Sequence, residues 1–226
     1  TLPYATRAKW AFRMGGLVRP LAGILPKSLR PALDLLPAKL PTQESLPDIF
    51  PATGEKRGRV ALLTGCVQQV LAPEINKATL EVLSANGIET VIPKDQACCG
   101  ALALHTGIEE HARKTARQLI RSIPKDVDAL ITNAAGCGSG ISEYSILFAG
   151  EPDEEEATAL AAKTKDISTY LQEVGLISPP SLESSMHVVY HDACHLAHAQ
   201  RETAAPRAIL NAIPNLKLLE PPEWEI

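Results

Sequence analysis

Three short apolar runs constrain this chain more than anything else in it: residues 59–64 (RVALLT), 88–92 (IETVI) and 127–132 (VDALIT). Each has strand length and is followed by a helical pattern, which suits a parallel sheet buried on both faces. After the first run, Pro73 fits the first position of a helix, Glu74 favours the positive end of its dipole and Gly87 stops it. Ile75, Ala78, Val82 and Leu83 are expected on its buried face. After the second run, Thr106-x-x-Glu109 reads as a capping box for a helix with Ile108, Ala112, Thr115, Ala116 and Leu119 toward the core, ended by Pro124. Two acid-rich helices follow over about residues 139–175, then a fourth strand at 187–190 (HVVY). The expected fold class is α/β, a parallel sheet with flanking helices.

Every one of these strands runs into a loop that carries cysteine: Gly65-Cys66, Cys98-Cys99-Gly100, Gly136-Cys137-Gly138 and, after the fourth, Cys194. In open α/β sheets the loops beyond the carboxyl ends of the strands line the binding crevice, so neighbouring strands bring Cys66, Cys98, Cys99 and Cys137 together. Five cysteines is an odd number, two are adjacent and nothing resembles a secretory signal, which favours metal-bound thiols over disulfides. Four thiolates can hold a [4Fe–4S] or [2Fe–2S] cluster, or a tetrahedral zinc. Gly65, Gly100, Gly136 and Gly138 would let backbone N–H groups approach cluster sulfurs. His105 follows the cysteine pair closely enough to stand beside a cluster, and His195 adjoins Cys194. Alternatives remain: Cys194 as an isolated buried thiol, Cys98-Cys99 as a redox-active pair, or zinc held by Cys194 with His191, His195 and His198. No Ser-His-Asp pattern, GxGxxG or Walker A motif is present.

A net charge of −4 with no basic, aromatic-studded patch argues against nucleic acid, and no run of about 18 apolar residues exists to span a bilayer. Residues 1–43 nevertheless carry seven Lys/Arg against one acid, Asp34. A helix is expected over residues 5–17. Beyond it Pro20, Pro26, Pro31, Pro37, Pro41, Pro47 and Pro51 exclude long elements, so this region reads as an extended connector. The resulting division is a basic, Pro-rich linker over 1–58, a first domain over 59–180 and the beginning of a second over 181–226.

The phrases ALLTGCVQQ, ACCGALALHTG, NAAGCGS and YHDACHLAHAQ resemble the cysteine-rich CCG domain, most closely in its glycolate oxidase iron–sulfur branch. The domain also occurs in heterodisulfide reductases. The resemblance implies a Rossmann-like domain holding an iron–sulfur cluster, [4Fe–4S] by expectation, on Cys66, Cys98, Cys99 and Cys137. It further implies a repeat, in which Cys194 is the counterpart of Cys66 and belongs to a second metal site. The spacing places the next Cys-Cys-Gly just past Ile226, and an N-terminal ferredoxin-like module is expected outside this piece. The implied activity is electron transfer from flavoprotein subunits of a glycolate oxidase-like complex to a quinone or other acceptor. That would place the chain in the cytoplasm or peripherally at the inner membrane face. Disulfide reduction at a CCG cluster and a zinc-stapled interaction module are the alternative functions. Many CCG domains end in C-x-x-C; here that last position is Gly140, which leaves the ligand number open.

Overall fold

The structure, a computed structural model, describes residues 4–18, 40–42 and 45–221. The connector positions Pro20, Pro26, Pro31 and Pro37, and the chain beyond residue 221, lie outside the described residues. A helix, α1 (Ala5–Val18), comes first. The next elements are β1 (Ile49–Phe50), β2 (Gly58–Leu62), α2 (Gln68–Leu71), α3 (Pro73–Ala85) and β3 (Ile88–Val91). Then follow α4 (Ala101–His105), α5 (Glu109–Ser122), β4 (Ala129–Thr132), α6 (Ala135–Ser142), α7 (Tyr144–Leu147) and α8 (Glu154–Lys163). β5 (Thr164–Asp166) and α9 (Ile167–Val174) complete this first unit. Its sheet has the order β1-β3-β2-β4-β5, parallel except for the antiparallel edge strand β1. Pro47 and Pro51 bracket β1 and keep that edge short.

Alternate residues of the central strands feed two cores, as the pleat requires. Ala61, Leu63 and Leu130 point to one face, against Ala116, Leu119, Ile141, Tyr144 and Phe148. Val60, Leu62, Ala129 and Ile131 point to the other, against Leu80, Leu83, Tyr170 and Leu171. The apolar runs at 59–64, 88–92 and 127–132 are thus the three adjacent strands β3-β2-β4, and their carboxyl ends share one edge.

Four details differ from the sequence reading. The buried face of α3 is Asn76, Thr79, Leu80, Leu83 and Ser84, while Ile75 and Val82 are each 42% exposed. Asn76 turns inward because it meets buried partners: its Nδ2 donates to Thr64 O at 2.8 Å, and its Oδ1 accepts from Gln68 Nε2 at 2.9 Å and Asn133 Nδ2 at 3.0 Å. The capping box does not form. Thr106 Oγ1 donates instead to Leu102 O and Ala103 O, closing the short helix α4, and exposed Ile108 precedes α5. Cys137 sits in the first turn of α6 rather than in a loop. Finally, β5 interrupts the acid-rich helices. Its register Leu130↔Thr164, Ile131↔Lys165, Thr132↔Asp166 extends the sheet, and Asp166 then caps α9 by accepting from Ser168 N at 2.9 Å.

A second, two-stranded parallel sheet pairs β6 (Met186–Val189) with β7 (Leu216–Leu219). A π-helical turn (His195–Ala199) and α10 (Ala204–Asn211) connect them, reproducing the strand–turn–helix–strand order of β2, α2, α3 and β3. Arg207 on α10 clamps Asp192 through two bonds of 2.9 and 2.8 Å and reaches Glu220 at 2.9 Å. The guanidinium holds the Asp192 carboxyl below the usual carboxylate range.

The Asn76 cluster ties the ends of β2 and β4 together, since Asn133 Nδ2 also donates to Thr79 Oγ1 at 2.9 Å and Gln68 Nε2 reaches Asn133 Oδ1 at 2.6 Å. Replacing Asn76 with Leu strands the buried Thr64 carbonyl and leaves Gln68 and Asn133 short of partners. The expected loss is about 1–3 kcal/mol in urea unfolding, whereas Ile75→Asn on the exposed face is expected to be near neutral.

Candidate metal centre

The site is built where β2, β3 and β4 end. Gly65 takes φ +71°, which a side chain would strain, and turns the chain after β2 so that Cys66 enters the crevice. Gln96 fixes the approach to the cysteine pair. Its Oε1 accepts from Thr64 N at 2.9 Å, and its Nε2 donates to Leu62 O at 3.2 Å and Pro93 O at 2.9 Å. Gly100, at φ +84°, starts α4, and a Cβ there would lie 2.9 Å from Ala112 O. Tyr144, buried under the site, donates its hydroxyl to Cys99 O at 2.6 Å.

The four expected cysteines meet here. Cys66 Sγ lies 3.4 Å from Cys98 Sγ, and Cys99 interacts with both Cys98 and Cys137. Cys98 and Cys99 are buried; Cys66 and Cys137 are partly exposed. Cys98 interacts with Cys66 and Cys99 and accepts from Gly100 N–H at 3.4 Å, and together these hold its thiol well below the ordinary range. Cys66 is pushed up by its hydrogen bond with Cys98 and by burial. Cys99 is pushed up chiefly by its bond to Cys137, and Cys137 is held down by the same bond. The phenol of Tyr144 is raised by burial first and by the adjacent thiols second.

As donors these residues fit an iron–sulfur cluster: four thiols without a competing carboxylate, with a backbone N–H aimed at one sulfur. Among the described residues no group of three or more His, Cys, Asp or Glu is arranged to close on a metal ion. A cavity of about 550 Å³ opens onto Cys66 and Cys98, with Lys94 and Lys114 at its wall.

The remaining expected residues lie around these four cysteines. Cys194 is exposed and stands outside the group of thiols. On their Cα side Gly136 and Gly138 face the second sheet's connection: a Cβ on Gly138 would lie 2.7 Å from the Gln200 amide, and the nearest neighbour of one on Gly136 would be His195 at 4.0 Å. His105 and His195 meet each other, ring centroids 5.4 Å apart, and His195 Nδ1 shares a hydrogen bond with Ser139 Oγ at 3.0 Å. The sequence reading missed Gln68, Asn76, Gln96 and Asn133. The available signal was a set of amides bordering the cysteine motifs, one of them in the 3.6-residue row of Leu80 and Leu83.

Comparison with known proteins bears on this arrangement. The profile of the cysteine-rich (CCG) domain matches residues 60–142 and again residues 188–225. A probable glycolate oxidase iron-sulfur subunit of Bacillus subtilis is 36% identical over 215 residues, 93% of this chain and 48% of that protein. An uncharacterized iron-sulfur protein of Methanocaldococcus jannaschii is 36% identical over 80% of this chain and 34% of its own length. Lactate utilization protein A of Shouchella clausii is 31% identical over 70% of this chain and 66% of its own length. The chain therefore spans about half of the first relative and about a third of the second. No solved structure matches it. Two profile matches, each beginning on a strand that ends at a cysteine, identify the chain as a member of the cysteine-rich CCG domain family.

Proposed function

We propose that this chain is an iron–sulfur, electron-carrying part of an oxidoreductase complex, with Cys66, Cys98, Cys99 and Cys137 as the ligands of a [4Fe–4S] cluster. The observation that carries this reading is the gathering of four interacting thiols at the shared edge of three adjacent parallel strands, two of them 3.4 Å apart. When bound, such a cluster takes up and releases single electrons at a potential set by its ligands and surroundings. The chain contributes the surroundings. Gly100 N–H offers a hydrogen bond to the Cys98 sulfur, Tyr144 fixes the Cys99 backbone, and the two sheet cores hold the three loops in register.

Relatives named for glycolate oxidase and for lactate utilization support a complex acting on small 2-hydroxy acids, compounds that share one functional unit. In this reading flavoprotein subunits oxidise the substrate, and a quinone or another acceptor takes the electrons. Among the described residues no helix is long and apolar enough to cross a membrane. The reading places the chain in the reducing cytoplasm, with a peripheral position at the inner membrane face compatible with it.

Protein purified or reconstituted anaerobically should show visible absorption that dithionite bleaches, together with iron and acid-labile sulfide. Cys99→Ser should lower iron per chain severalfold while the thermal transition of the sheet stays in place, because β2, β3 and β4 pack without it. Colourless protein that takes up zinc in preference to iron would refute the reading. The ligand number is tested at Gly140, where a C-x-x-C would place one more cysteine. A Cβ there would stand 2.4 Å from Ala101 Cβ and 3.2 Å from Ala101 Cα. Gly140→Cys should therefore destabilise the protein by about 1–3 kcal/mol through overpacking and leave iron per chain no higher.

A further inference from the structure

The helix that carries Cys137 cannot hold itself. α6 has the sequence AGCGSGIS, with three glycines in eight residues. Each glycine costs a helix about 1 kcal/mol relative to alanine, and eight residues fall well short of the length at which a helix is stable alone. Its glycines instead admit neighbours. Gly140 faces Ala101 of α4, so close that a Cβ would collide. Gly138 is buried beneath Gln200, with the position of a Cβ lying 2.7 Å from both Nε2 and Oε1 of that amide. Gln200 Nε2 in turn donates to Ala135 O at 3.0 Å, the first carbonyl of α6. One turn on, Ser139 Oγ reaches His195 Nδ1 at 3.0 Å and Gly136 O at 3.2 Å. Both Gln200 and His195 belong to the connection after β6, so the second sheet's first connection sits on the first sheet's last cysteine.

We propose that Gln200 is a positioning residue for Cys137: its side chain, seated on Gly138 and bonded to Ala135 O, fixes the first turn of α6 and with it the Cys137 sulfur. His195 supports the same turn through Ser139. The two CCG units are thus joined through the candidate cluster site itself, and the state of the second unit bears on a ligand of the first. The inference rests on the proposed ligand role of Cys137 for its functional meaning, though the positioning is testable without any cluster.

The test compares the wild-type chain with Gln200→Glu, which keeps the volume but loses the donor, and with Gly138→Ala, whose methyl displaces the amide from the other side. In metal-free, reduced protein, the rate at which each cysteine reacts with a thiol reagent is followed by peptide mass spectrometry. Labelling of Cys137 is expected to rise about three- to tenfold in both variants, the scale of one lost hydrogen bond, with Cys66 and Cys98 unchanged and the melting temperature preserved. In reconstituted protein, iron release to a chelator is expected to accelerate in the same two variants. Unchanged Cys137 labelling in Gln200→Glu overturns the proposal. So does a common rise at all cysteines with a lowered melting temperature, because that reports general loosening. If the wild-type chain takes up no iron, the proposed function fails, and the labelling still decides the role of Gln200.

Discussion

The buried side-chain amide of Asn76 is the interaction on which the rest of the site depends. Two adjacent parallel strands, β2 and β4, end in loops whose polar groups turn toward one another. Asn76 takes the Thr64 carbonyl with its NH₂ and gives its oxygen to Gln68 and Asn133, so one residue of α3 answers for both strand ends. Gln96 does the same on the other flank, binding Thr64 N–H and the carbonyls of Leu62 and Pro93. Left unpaired, each of these groups would cost more than a typical hydrogen bond returns. The amides are therefore what allows three cysteine-bearing loops to lie side by side in a buried crevice instead of splaying toward solvent.

Within that crevice the thiols form a graded system. Two of them, Cys66 and Cys99, are pushed up, and two, Cys98 and Cys137, are held down. Burial alone disfavours every thiolate, and interactions among the thiols, backbone N–H groups at Cys66 and Gly100, and the charge of His111 offset it. An anionic group bound by these sulfurs would inherit the same surroundings: an apolar floor from Ala101, Ile141 and Tyr144, and a more open side toward Lys94 and Lys114.

Much of this was legible in the sequence. The three apolar runs lie adjacent in one sheet and the cysteines after them come together, because a buried parallel strand followed by a glycine turn leaves few alternatives. What escaped has physical reasons. Counting apolar residues on α3 selected Ile75 and Val82, but the protein gives that face to Asn76 and Thr79, whose hydrogen bonds outweigh the apolar area they displace. Thr106 looked like an N-cap because α4 is too short to announce itself; its hydroxyl closes that helix instead. β5 is three polar or charged residues that pair only because β4 offers a free edge. The segment around Cys137 read as a loop because glycine so rarely builds helices, and it is helical only through its neighbours.

Those neighbours are particular. Two glycines of α6 answer to one residue elsewhere: 140 to Ala101 and 138 to Gln200. Neither position is free to drift by itself, since a side chain gained on the helix must be matched by space surrendered at its partner. Among descendants of a common ancestor, substitutions at 138 and 200, and at 140 and 101, should accordingly appear together or not at all, so that the two halves of the molecule leave a joint record in their histories.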